Sequence, residues 1–502
     1  MNNQQKLKQL FKLLDEIEVY RRAIGKIQFD QECCAPPEGL EQAGEDMAVL
    51  GVREHKLSHS KKYIRLICEL HDDPEGLTPE QKAMIDYKYD EYLKTKNITD
   101  AFAYEMDMVT GKAYGKWLEA KKANDFSIFR DSLADVVRVT RQAVELRDEQ
   151  KATCYDSCLD DCEKGGNQQQ MDAFFAALRE RIVPLMQRIQ REGKPIREDF
   201  LTRPCPIPEQ EAFSKWLLEI EGLRMTALVL MTTEHPFTDS FGPKDVRVTT
   251  HYFEDNFISN IFSTLHEGGH ALFMQNEPEA VFGAHADGQM SNAMHECISR
   301  FYENLIGRSE AFIHFVYPKL KDVSADLMAD VSERELYEGV NIARPTLIRT
   351  DADELTYCLH ILVRYEIEKA LINGEITVDE VPELWNAKYK EVLGVDVPSD
   401  TEGCLQDVHW TFSFGYFPSY ALGNAYGAQI LRRMQQDFDV FAAVEKGDLI
   451  CIREWLKENV FSCASMLDPD TWIRRITGEP LNVNYYLDYL EEKYTKLYGL
   501  KN

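Results

Sequence analysis

Apolar residues recur every three or four positions along nearly the whole chain, as in 171–190 (MDAFFAALRERIVPLMQRIQ), which is the spacing of one helix face. A chain patterned this way buries its stripes helix against helix, so the predicted class is mainly α. Strand signals are few. The best is 245–253 (DVRVTTHYF), where Val246 and Val248 alternate with polar neighbours and β-branched residues cluster. The expectation is a large helical protein with one small β-sheet. Breaks fall at 35–39 (APPEG), 165–167, 203–208 (RPCPIP), 242–244 and 397–403. None is a long flexible linker, and no unit of 20 to 50 residues repeats. One helical unit over 1–502 is therefore predicted, a helical half (1–230) packed on a half that carries the chemistry (231–502).

Charge narrows the function. Lys plus Arg number 57 against 85 Asp plus Glu, a formal net charge of −28, which repels phosphate backbones and anionic lipid. Neither nucleic acid nor a membrane is expected as partner. No run of 18 apolar residues occurs, and the N-terminus is charged and amphipathic, unlike an export signal, so a cytoplasmic location is expected. The 12 cysteines then read as free thiols. Cys33 adjoins Cys34, and Cys154, Cys158 and Cys162 would line one helical stripe, a spacing unlike that of metal-binding cysteine loops.

The chemistry concentrates at His266-Glu267-Gly268-Gly269-His270, an H-E-x-x-H match that chance would supply roughly 0.03 times in a chain with 12 His. Phe257, Ile258, Ile261, Phe262 and Leu265 before it, and Leu272 and Phe273 after it, keep helical spacing, which predicts one buried helix through the motif. Two imidazoles four residues apart then share a face and can point at one ion, with Glu267 beside it. Gly268 and Gly269 each cost about 1 kcal/mol in a helix interior, so substrate or a sheet edge is expected close to the backbone there. A catalytic zinc takes a third protein ligand, and His285, Asp287, His295 and Glu296 are the downstream candidates. Met294, Ile298, Phe301, Tyr302 and Leu305 form a second apolar stripe, which predicts a helix carrying His295 and Glu296. Spacing favours Glu296 without excluding His295 or His285.

Further segments then become recognisable: His235-Pro236-Phe237, 245–249 (DVRVT), His295-Glu296, 348–353 (IRTDAD) and 403–410 (GCLQDVHW). With the H-E-x-x-H helix they make six ordered motifs over about 175 residues, and the chain resembles the carboxypeptidase Taq type of metallocarboxypeptidase. Weaker similarity at 155–165 and 414–424 extends this over nearly the whole length. The resemblance implies a helical homodimer with a deep active-site cleft that removes single C-terminal residues from peptides, with zinc, or cobalt as substitute, on His266, His270 and Glu296. Two positions depart from the family pattern: Cys297-Ile298 stand where Ser or Gly then Gln is usual, and Phe29-Asp30 where Trp-Asp is usual. The first puts the surroundings of a ligand, and hence metal preference, in question.

Roles follow from chemistry. Glu267 can take a proton from water and pass it to the leaving amine. The developing oxyanion needs a donor, for which His409, Tyr416 and Tyr420 are candidates. An exopeptidase must also grip the terminal carboxylate, for which Arg349 is the first choice, oriented by Asp351, Asp353 or Glu354. Arg247 is the second choice, with His235 lining the same cleft. The leading expectation is a zinc carboxypeptidase acting on peptides with a free C-terminus. A zinc oligopeptidase that cuts internal bonds is the alternative, since the metal site alone does not choose between them. A silent scaffold with a structural metal is disfavoured by Glu267, a base such a site does not need.

Overall fold

The structure, a computed structural model, describes residues 1–501. Among them are 21 α-helices and one three-stranded sheet. The strands β1 (Leu228–Thr232), β2 (Thr238–Ser240) and β3 (Val246–Thr250) lie in the order β1-β3-β2. β1 runs parallel to β3 with Leu228 opposite Val246, and β2 antiparallel with Thr238 opposite Val248. Only β3 was legible beforehand. The LVLMT of β1 is a continuous apolar run without alternation, and three-residue β2 is too short to show a period.

The predicted motif helix spans Phe257–Asn276, capped by the Asn256 side chain on the Ser259 amide. Val246 and Val248 are fully buried on the face of β3 that packs on it. Strand alternation puts Arg247 on the opposite face. The second predicted helix spans Asn292–Arg300, is capped by Ser291, and continues as a π-helical segment, Phe301–Ile306. It lies between the motif helix and a third buried helix, Phe417–Met434.

One hydrophobic cluster runs from Ala113 to Leu500 and encloses these elements. A smaller one joins Leu7, Leu10 and Leu14 of the first helix to Leu66, Leu70, Met84 and Ile85. It also takes in Val281, Ala284 and Ala286, from the segment that connects the motif helix to the Glu296 helix. His285 in that segment reaches Asp15 at 3.2 Å and sets its ring edge-on to Phe11.

Candidate metal centre

Four-residue spacing brings the His266 and His270 rings to one face of the motif helix, with centroids 5.0 Å apart. The neighbouring helix presents Glu296 to both: its Oε2 lies 3.7 Å from His266 Nε2 and 3.6 Å from His270 Nε2. Ligand bonds of about 2.0–2.2 Å in tetrahedral geometry require ligand atoms about 3.4 Å apart, so the donor set fits a small divalent ion. Among the described residues this is the one group of three such side chains close enough to share an ion. His285, half-buried with its Nε2 toward Asp15, and Asp287 stay with the connecting segment, outside this group.

The surroundings fix each imidazole. His266 Nδ1 meets Glu303 Oε2 at 2.8 Å, and His270 Nδ1 meets His295 Nδ1 at 2.6 Å. Each ring thus spends Nδ1 on a neighbour and keeps Nε2 for the shared point. Burial would raise the Glu303 carboxyl, but Arg300 and the His266 hydrogen bond overcome it and hold Glu303 at about 2. Burial, reinforced by His270, pushes His295 down to about 3, so that ring is neutral. Glu303 and Arg300 were not singled out in the sequence, although both lie on the Glu296 face at the next helical repeats. The usual-family positions prove indirect: Cys297 and Ile298 are buried in the core, and the hydrogen bonds to Glu296 come from Ser299 and Arg300.

Glu267 is buried beside the cluster, its Oε2 accepting from Thr238 Oγ1 at 2.7 Å. The same hydroxyl reaches the Glu267 carbonyl oxygen at 3.0 Å, so β2 pins the motif helix at its carboxylate. The two glycines have causes other than those expected. A methyl at Gly268 would overlap the carboxyl of Glu221, a fully buried side chain whose burial pushes it well above the usual range. A Cβ at Gly269 would come within 2.7 Å of the Ile298 carbonyl oxygen and the Ser299 Cα. A buried acid and a neighbouring helix backbone, not substrate or a sheet edge, demand them.

Arg349 is buried and gives Nε and Nη2 to Asp407 Oδ1 at 3.0 and 2.8 Å, and Nη1 to the Tyr357 hydroxyl at 3.1 Å. Of the expected orienters, Asp353 caps local backbone amides and Glu354 pairs with buried Lys493, and the carboxylate on Arg349 is Asp407 instead. Arg364, fully buried, takes the other oxygen of Asp407 at 2.6 Å. Two guanidiniums on one carboxylate leave one positive charge uncompensated in a chain of net charge −28. Arg364 carries a sequence signal of its own: a lone Arg inside the largely apolar run 359–367 (LHILVRYEI) points to a buried partner.

His409 stands between this pair and the tyrosines, with Nε2 3.4 Å from the Tyr420 hydroxyl and its ring 5.6 Å from that of Tyr416. Burial depresses it to about 4 against the pull of Asp407, so it is neutral at physiological pH. Tyr420 lies under the Arg349 guanidinium at 5.1 Å. Two candidates lie apart. Arg247 pairs with Asp245 and rests on Phe29 and Phe241, on the sheet face away from the motif helix. His235 is exposed in the loop between β1 and β2. The other departing residue, Phe29, packs edge-on to Phe237, tying the first helix to that loop.

Comparison with known proteins decides the lineage: the family model described as carboxypeptidase Taq (M32) metallopeptidase matches residues 9–494. The chain belongs to that family. It is 37% identical over 495 residues to carboxypeptidase 1 of Bacillus subtilis, covering 98% of this chain and 99% of the relative. Thermostable carboxypeptidase 1 of Thermus thermophilus is 34% identical, covering 96% of each chain. The crystal structure of an M32 carboxypeptidase from Deinococcus radiodurans superposes with a TM-score of 0.95 at 32% identity, covering 99% of this chain and all of that one. This M32 protein is a metallocarboxypeptidase, a peptide hydrolase, and the oligopeptidase alternative falls.

Proposed function

We propose that the protein is a zinc carboxypeptidase that releases single residues from peptides with a free C-terminus. The observation that carries the reading is the joint presence of the His266–His270–Glu296 donor set and a buried, net-positive arginine pair linked to it through Tyr357. Two imidazoles and one carboxylate suit zinc, and cobalt is the expected substitute. When bound, the ion supplies an acidified water and polarises the scissile carbonyl. Glu267 would serve as the proton carrier, accepting a proton from water at its carboxylate and passing it to the departing amine nitrogen, with Thr238 holding Oε2 in place. Neutral His409 and Tyr420 are the donors to the developing oxyanion. Arg349 holds the terminal carboxylate with the N–H groups that Asp407 and Tyr357 leave free.

We also propose a cytoplasmic homodimer. All 12 cysteines are free, as a reducing compartment would keep them, and no helix is long and apolar enough to cross a membrane. For the dimer, the helix Asp100–Ala123 exposes Tyr104, Met108 and Leu118 along one stripe, with open Gly111 and Gly115 between them. Its first half carries Asp100, Glu105 and Asp107, and its second Lys112, Lys116, Lys121 and Lys122 against a single acid, Glu119, so an antiparallel second copy would find net opposite charge. Incubating the metal-loaded protein with a peptide and following masses tests the activity. A ladder shortened one residue at a time from the C-terminus is expected, and internal cuts would refute it.

A further inference from the structure

The cluster behind the metal centre is organised by one side chain. Arg300 lies four residues after Glu296 and three before Glu303, so a single helical face carries all three. Its Nε donates to Glu296 Oε1 at 2.6 Å and its Nη1 to Glu303 Oε2 at 3.0 Å. The guanidinium lies 4.2 Å over the Tyr357 ring, whose hydroxyl in turn accepts from Arg349. Arg300 therefore touches both carboxylates that contact the imidazoles: Glu296, which faces their Nε2 atoms, and Glu303, which receives His266 Nδ1–H.

We infer that Arg300 is a positioning residue that dictates how Glu296 serves the metal, occupying Oε1 so that Oε2 alone is presented to the ion. Glu296 Oε2 is steadied from its other side by Ser299 Oγ at 3.1 Å, so the carboxylate cannot turn without breaking two bonds. A carboxylate released from Arg300 is free to rotate and offer both oxygens, which would take up the position that water needs. Arg300 also cancels the repulsion between Glu296 and Glu303, and by holding Glu303 it fixes the His266 tautomer that leaves Nε2 unprotonated. Lysine cannot substitute, since one ammonium cannot lie flat on Tyr357 and reach two carboxylates in a fixed plane. The assignment rests on the reading of His266, His270 and Glu296 as ligands.

The test compares the unmodified protein with Arg300→Met, Arg300→Lys and Glu296→Ala, each stripped of metal and titrated with zinc against a competing chelator. The cobalt-loaded forms are then examined by absorption spectroscopy. Arg300→Met should bind one zinc with about 10- to 100-fold lower affinity, and its cobalt bands should shift and weaken as Glu296 becomes bidentate. Arg300→Lys should recover less than half of that loss on a logarithmic scale. Unchanged affinity and an unchanged cobalt spectrum in Arg300→Met would overturn the assignment. Tight stoichiometric zinc in Glu296→Ala would instead overturn the ligand set itself. Should Arg300→Met not fold, Arg300→Lys carries the test, because it keeps the charge but loses the planar fork that reaches Glu296 and Glu303 together. Its zinc affinity should fall about threefold or more, and unchanged affinity with an unchanged cobalt spectrum would overturn the assignment equally.

Discussion

Exchanging the terminal carboxylate of a substrate for an amide tests the reading of Arg349 directly. A guanidinium has five N–H donors. Three are committed in the structure, two to Asp407 and one to Tyr357, which leaves one on each terminal nitrogen for a ligand. Asp407 is already shared with Arg364, so the pair carries one unpaired positive charge out of bulk water. An amide offers that charge no counterion. Losing a desolvated charge pair costs about 2–5 kcal/mol, so the amide should be cleaved roughly 30- to several-thousand-fold less well in kcat/KM. Arg349→Ala should impose a similar loss on the free acid and almost none on the amide, abolishing the preference. The fold should survive, because Asp407 keeps a one-to-one pair with Arg364. Initial rates on a matched acid and amide peptide, for both proteins, give the four numbers needed. Equal penalties on both substrates would show that Arg349 only braces Asp407, and the carboxylate grip would have to be sought elsewhere.

Three further outcomes are expected. Glu267→Gln should keep its metal, measured by elemental analysis, and lose about 10²–10⁴-fold in kcat; near-normal turnover in the loaded variant would remove Glu267 as the proton carrier. Gly268→Ala should destabilise by about 1–3 kcal/mol because its methyl meets Glu221, and Glu221→Ala in the same chain should recover most of that in a denaturant titration. Burial raises the Glu163 carboxyl to about 7 against the hydrogen bonds it accepts, so the folded state resists its ionisation. A raised carboxyl contributes fully below its unfolded value of 4.5 and loses that contribution as pH climbs through about 7. Melting temperature should therefore fall over this interval, and Glu163→Gln should flatten the slope.

What the sequence disclosed was whatever local periodicity carries. The motif helix, the Glu296 helix and β3 could all be read from spacing, and so could the convergence of His266 with His270. What it withheld depends on contacts between distant segments. Asp407 lies 58 residues from Arg349, and Glu303 lies 37 from His266, so neither partner follows from a local pattern. The acids adjacent to Arg349 in sequence were the natural orienters, yet the 3-10 turn at Arg349–Asp351 carries the guanidinium away from them toward 403–410. The placement of Arg247 was hidden for a simpler reason. Alternation alone tells that it opposes Val246 and Val248, but not which sheet face the metal helix covers.

The segment joining the two ligand-bearing helices is seated not in the main core but among the first helices, through Val281, Ala284, Ala286 and His285. His270 and Glu296 are thus spaced by a strap whose anchorage is built from residues 7–85. Binding an ion to the native state stabilises it by mass action, and that stabilisation spreads to every element whose opening would slacken the strap. Amide hydrogens around Leu7–Leu14 should accordingly exchange more slowly once metal is added, though no ligand lies near them. For protein engineering, the amino-terminal helices are a remote part of the chelate, and trimming them alters affinity at a centre they never touch.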